Sequence, residues 1–258
     1  MITAAGAARA RLSVALITRD EAHSVRACLE SVSWADEIVV LDSGSTDATV
    51  ELCRSLGARV EITDWPGFGP QKNRAIERCS GDWILSIDAD ERVTPQLRTE
   101  LEHAIASPGP NLAFSMPRLS SYCGRQMRHG GWWPDRVTRL FRRGAARFSA
   151  DVVHEKLLAD GPTGTLTHPL IHDTFADLEE VIDKLNRYSS AGAQRLRGLG
   201  KHGSLSRALG HGLWAFLRTY LLRAGFLDGR EGFMLAVSNA EETYYRYLKL
   251  MMLESRIK

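Results

Sequence analysis

Apolar residues in the first hundred positions fall into short runs, separated by polar stretches with helical spacing. Residues 12–18 form a near-continuous apolar run of strand length. Residues 22–32 carry Val25, Leu29 and Val32 on one helical face. A second run, 37–41, is rich in β-branched residues and ends at Asp42-Ser43-Gly44. Ser45-Thr46-Asp47 then offers N-cap chemistry to a helix bearing Val50, Leu52 and Cys53, which Gly57 stops. Residues 58–62 predict a third strand. The loop Trp65-Pro66-Gly67-Phe68-Gly69-Pro70 leads into a helix near 71–79, and 83–87 predicts a buried strand that ends at Asp88. Strands alternating with such helices imply a doubly wound, mostly parallel α/β sheet.

A helix over 95–105 closes this alternation, and the pattern then becomes mixed. Residues 113–119 and 137–141 are strand-like, 130–135 (GGWWPD) is a turn-rich loop, and 152–155 is short and extended. From Asp177 onward the spacing is helical, which divides the chain into an α/β domain over 1–175 and a helical C-terminal appendage over 176–258. On a helix over 207–223, Leu209, Leu213, Phe216, Leu217 and Tyr220 make one apolar stripe, expected to pack on the parent domain. Arg207, His211, Trp214 and Arg218 share the opposite face, a composition suited to peripheral contact with an anionic membrane surface.

The strand over 83–87 ends in an unusual way. Asp88 and Asp90 are two residues apart, so in an extended segment their carboxylates point the same way and repel. A divalent ion carrying a nucleotide's phosphates would relieve them, since Mg²⁺ takes one or two carboxylates plus substrate phosphates. The bland alternative is a solvated strand end whose acids cap the next helix. Asp42 also lies at a strand end, and open α/β sheets bind ligands outside the carboxyl ends of their strands.

A hydrophobic fraction of 44% and a charged fraction of 25% belong to an ordinary globular protein. The net charge of +2 hides an uneven distribution: residues 118–147 hold eight arginines against one acid, Asp135. That stretch points to phosphate, acidic-substrate or membrane contact, and nucleic acid is not an expected partner. Cys28, Cys53, Cys79 and Cys123 form no C-x-x-C pair, which favours free thiols in a reducing compartment. The alanine-rich first ten residues lack a secretory apolar core, and no uncharged run approaches the roughly 20 residues of a membrane span. The expected location is cytoplasmic, with peripheral contact at the inner membrane face.

Three segments together are far more specific than any one alone: VVLDSGSTD over 39–47, QKNRA over 71–75 and GDWILSIDADE over 81–91. Their order and spacing resemble family 2 glycosyltransferases of the GT-A fold, and Ile17-Thr18-Arg19-Asp20-Glu21 fits as well. Family members often carry Asn-Glu where this chain has Asp20-Glu21. Gly131-Trp132-Trp133-Pro134-Asp135, Arg139-Leu140-Phe141, Val153-His154-Glu155 and Gly225-Phe226-Leu227-Asp228-Gly229 are similar to the bacterial branch that includes lipopolysaccharide inner-core β-1,4-glucosyltransferases.

The resemblance implies inverting transfer of a hexose, glucose from UDP-glucose, onto a lipopolysaccharide-core or other envelope glycan or glycolipid. It places Thr18, Glu21, Asp42, Lys72, Asn73 and Asp88 on the nucleotide side, with Asp42 accepting a hydrogen bond from the uracil edge. Asp90 would ligate Mg²⁺ or Mn²⁺, with Asp88 beside the ribose or a metal-bound water and as a second candidate ligand. Glu155 would be the general base, with Asp151 competing, while His154 would touch acceptor or phosphate. Trp132, Trp133, Asp135 and Arg139, with Arg136, Arg142 and Arg143, would line the acceptor side. No Q-x-x-R-W motif is present, which argues against a processive synthase. The competing classes are a nucleotide-sugar-binding module without turnover and a sugar-nucleotide pyrophosphorylase. The second would want a glycine-rich loop where Thr18-Arg19-Asp20-Glu21 stands, and a dehydrogenase would want G-x-G-x-x-G.

Overall fold

The computed structural model describes residues 9–149 and 155–255. The chain divides into two compact units, Met1–Arg118 with Arg136–His172, and Leu119–Asp135 with Asp173–Lys258. The first is built on strands β1 (Leu12–Thr18), β2 (Glu37–Asp42), β3 (Arg59–Ile62) and β4 (Trp83–Ser86), which pair in parallel in the order β3-β2-β1-β4. Helices α1 (Val25–Ser31), α2 (Thr49–Ser55) and α3 (Phe68–Glu77) make the crossovers. β1 is apolar almost throughout because both its faces are covered, as parallel sheets require. Its register sets Thr18 against Asp42, so the ends of β1 and β2 lie abreast.

α3 begins at Phe68, earlier than the sequence pattern suggests. Gly67, at φ 108°, turns the chain in a conformation that L side chains rarely adopt, and Pro70 is tolerated in the first turn. After β4 come β5 (Glu91–Val93) and α4 (Pro95–Ala106), whose N-cap Thr94 accepts from the Leu97 amide. The remaining strands are β6 (Ala113–Tyr122), β7 (Arg125–Gln126), β8 (Asp135–Arg142), β9 (Ala146–Phe148), β10 (Leu157–Ala159), β11 (Thr163–Thr165) and β12 (Leu170–Phe175). Parallel order ends at β4, whose other neighbour, β8, runs antiparallel. β5 pairs antiparallel with β12, opposing Glu91 to His172. Val14, Leu16, Leu29, Val40, Leu85, Leu97 and Leu101 are buried in the core of this unit. Cys28, Cys53 and Cys79 are buried too, and burial pushes the Cys79 thiol up to about 12.

In the second unit, Tyr122, Trp132 and Phe175 meet mostly edge-on, beside Val181 and Leu235. Helix α5 (Leu178–Gly198) is capped by Asp177 and α6 (Leu205–Leu217) by Ser204. A π-helical turn (Arg218–Leu222), a 3₁₀ turn (Gly225–Asp228) and the 27-residue α7 (Gly229–Ser255) follow. α6 reverses the expected packing: it buries Ala208, Gly212 and Ala215, while Leu209 and Leu213 are 57% and 62% exposed. Backbone proximity explains the reversal, since a Cβ on Gly212 would lie 3.2 Å from the Ala240 carbonyl of α7. Two helices this close admit only small residues between them. Among the described residues, no helix is long and apolar enough to cross a membrane.

Candidate active site

The loops that follow β1 and β2 brace each other. Asp42 is fully buried and has both carboxylate oxygens occupied: Oδ1 accepts from the Gly44 and Ser45 amides, and Oδ2 from the hydroxyls of Thr18 and Ser45. These four bonds fix the loop between β2 and α2. Asp20 sits at φ 55°, and its Oδ1 accepts from the Thr46 amide at 2.7 Å, which holds its carboxyl below the usual range. Asp47 accepts from the Ala22 amide and the Thr49 amide and hydroxyl. Gln71 of α3 donates to Ser43 and Thr63, tying the helix to the same loops.

A row of alternating charges crosses the end of β4. Lys72 Nζ lies 2.9 Å from Glu155 Oε1 and 2.8 Å from Asp88 Oδ1. On the other side of Asp88, Arg139 reaches Asp88 Oδ2 and Glu91 Oε1, each at 2.5 Å, and Arg118 lies 3.6 Å from the same Glu91 oxygen. Burial alone would raise the Asp88 carboxyl, but the Arg139 guanidinium and Lys72 ammonium hold it well below the usual carboxylate range. Arg139, expected on the acceptor side, is only 5% exposed and spends its charge on these two acids. Both Asp88 oxygens are thus committed to cations, so of the two carboxylates Asp90 is the one that could hold a metal ion.

Asp90 has a neighbour the sequence did not reveal. His172 Nε2 lies 3.3 Å from Asp90 Oδ2 because the β5–β12 pairing carries it there. Glu21, in the loop between β1 and α1, completes the acidic group: burial, then the charges of Asp90 and Asp88, raise its carboxyl above the usual range. Glu155, Asp88 and Glu91 are balanced by Lys72, Arg139 and Arg118, and Asp90 and Glu21 add two carboxyl groups beyond that balance, a setting that could take a cation. Among the described residues, no three His, Cys, Asp or Glu side chains form a complete cage. An ion there would take its remaining ligands from a phosphate or water, the habit of Mg²⁺ and Mn²⁺.

The base candidate is held by local packing. A Cβ on Gly69 would fall 1.9 Å from the Ser149 carbonyl and 3.6 Å from Glu155 Cβ, so only glycine lets α3 approach this segment. Asn73 completes the join, donating to the Phe148 carbonyl and accepting from its amide. Asn73 thereby positions β9. His154 and Asp151 lie outside the described residues. Trp132, Trp133 and Asp135 belong to the second unit, where Trp132 joins the aromatic cluster and Arg128 lies over Trp133, 5.4 Å from its ring centre.

Comparison with known proteins shows the family of this chain. The profile of glycosyl transferase family 2 matches residues 13–156. A glycosyltransferase of Rickettsia prowazekii is 30% identical over 252 residues, 93% of this chain and 86% of that protein. The lipopolysaccharide core biosynthesis glycosyltransferase LpsC of Rhizobium meliloti is 31% identical over 255 residues, 92% of this chain and 93% of that protein. Among solved structures, glucosyl-3-phosphoglycerate synthase from Mycobacterium tuberculosis, in complex with Mn²⁺ and UDP, superposes with a TM-score of 0.37 at 27% identity. That superposition covers 43% of this chain and 44% of that one. With a family profile spanning more than half its length, this chain belongs to glycosyl transferase family 2.

Proposed function

We propose that the protein transfers a hexose, glucose from UDP-glucose, with inversion, onto a lipopolysaccharide-core or other envelope glycan. The observation that carries this reading is the Asp90–His172 pair beside a row of alternating charges, with Glu155 one lysine away from Asp88. The likeness to LpsC, end to end, favours the envelope acceptor.

Asp90 and His172 would hold Mg²⁺ or Mn²⁺, and the bound ion would offset charge building on the departing UDP. Arg139 keeps Asp88 ionised and fixed, and Asp88 steadies Lys72 from one side. Lys72 in turn orients Glu155, whose carboxylate accepts the proton of the acceptor hydroxyl as that oxygen attacks the anomeric carbon. Thr18 and Asp42 shape the loop wall for the nucleotide, with Glu21 at its acidic edge.

The test is UDP release from UDP-glucose with Mn²⁺ and a lipopolysaccharide-core acceptor, comparing the wild type with Asp90→Ala. The variant is expected to lose Mn²⁺-dependent turnover together with the thermal shift that UDP and Mn²⁺ produce jointly. Wild-type-like turnover in Asp90→Ala would sink the assignment.

A further inference from the structure

α6 wears its amphipathic pattern inside out. Leu205, Leu209, Leu213, Leu217 and Leu221 recur at every fourth position and so share one side of the helix and the turn that continues it. Ala208, Gly212, Ala215 and Thr219 form the buried side. Trp214, at 53%, and Leu222, at 68%, extend the exposed apolar surface, and Phe226 and Leu227 of the 3₁₀ turn are exposed beyond it. A contiguous apolar surface on a folded unit marks a place where something else covers it.

Charge says what covers it. Between Lys201 and Leu227 the chain has four Lys or Arg and two His, and no Asp or Glu. The next acids, Asp228 and Glu231, are buried and paired with His129 and Arg230. Arg207, Arg218 and Arg223 are all exposed beside the leucines. Glu254 of α7 meets His202 at the start of this stretch, but Arg207, Arg218 and Arg223 are exposed along the leucines, so a second copy seated here would oppose one row of arginines to another, a like-charge juxtaposition. An anionic lipid surface complements it: leucines and a tryptophan enter the headgroup boundary while arginines meet phosphates.

We propose that α6 and the two turns after it form an interfacial docking surface for anionic phospholipid bilayers. The surface lies parallel to the membrane plane and does not span it.

Vesicle flotation of the full chain tests it, with phosphatidylcholine alone and with phosphatidylglycerol added. Strong binding is expected only to the anionic vesicles, falling as salt rises. Leu209→Gln with Leu213→Gln should lower the bound fraction at least about tenfold, because two partitioning leucines are lost. Arg207→Gln with Arg218→Gln should lower it about fivefold per charge removed. All four side chains are exposed, and unchanged circular dichroism and thermal midpoints will show that folding is intact. Three results would overturn the proposal: no wild-type flotation on anionic vesicles, equal flotation on neutral ones, or a solution dimer that the leucine variants dissolve.

Discussion

The charged centre of the first unit and α6 of the second invert the ordinary rule of burial in opposite directions. Around β4 the chain hides charge: Glu91 is fully buried and Arg139 nearly so, each neutralised by a partner of opposite sign. On α6 it exposes leucine, and the residues it hides are alanine and glycine. In both places, side-chain type alone misleads. A buried charge is tolerable where its partner is fixed, and a leucine faces outward where two backbones come too close to admit it.

The largest expected effect follows from removing one partner in the first region. Arg139→Met would leave the fully buried Glu91 and the half-buried Asp88 without their shared cation. Chemical denaturation should record a loss of about 3–5 kcal/mol, and turnover should fall with it. A loss below 1 kcal/mol would mean that the charge row is not structurally important. The two leucine environments give the next contrast. Leu85 on β4 is fully buried, so Leu85→Ala should cost about 2–5 kcal/mol. Leu213→Ala should fall within about 0.5 kcal/mol of wild type, because its side chain is exposed. Equal costs at the two sites would erase the comparison.

The smallest effect is electrostatic. The Glu21 carboxyl is raised by burial and by Asp90 and Asp88, so the native state holds that proton more tightly than the unfolded chain does. The stability it contributes is present below the ordinary Glu value and is lost as pH rises through the raised one. Without divalent ions, Glu21→Gln should therefore gain up to about 1 kcal/mol at neutral pH, since solvent screens part of the effect. The gain should vanish near about pH 4, where an ordinary Glu begins to hold its own proton. A gain that persists unchanged into acid would refute the assigned cause.

Much of the first unit was legible in the sequence, and the reasons are local. Residues 12–18 are a strand with the predicted bounds because a run covered on both faces has a single plausible partner geometry. The carboxylates at the end of β4 were legible from their spacing. His172 was not, because its position beside Asp90 depends on the register of β12 against β5, far along the chain. Arg139 was visible as an arginine, but its burial depends on the β4–β8 pairing. Asp42 was recognisable at a strand end, whereas its saturation by four donors required the loop geometry. On α6, periodicity identified the leucine stripe and gave the wrong direction for it. Gly212 was the available signal, since a glycine opposite a stripe of leucines marks close backbone approach.

The central claim is that Glu155, oriented by Lys72, takes the acceptor's proton. Its most direct measurement is single-turnover transfer by Glu155→Gln, with UDP-glucose, Mn²⁺ and a lipopolysaccharide-core acceptor, alongside donor binding by thermal shift. The expected result is donor binding close to wild type with transfer slowed about 10²–10⁴-fold. Transfer at the wild-type rate in that variant would contradict the account.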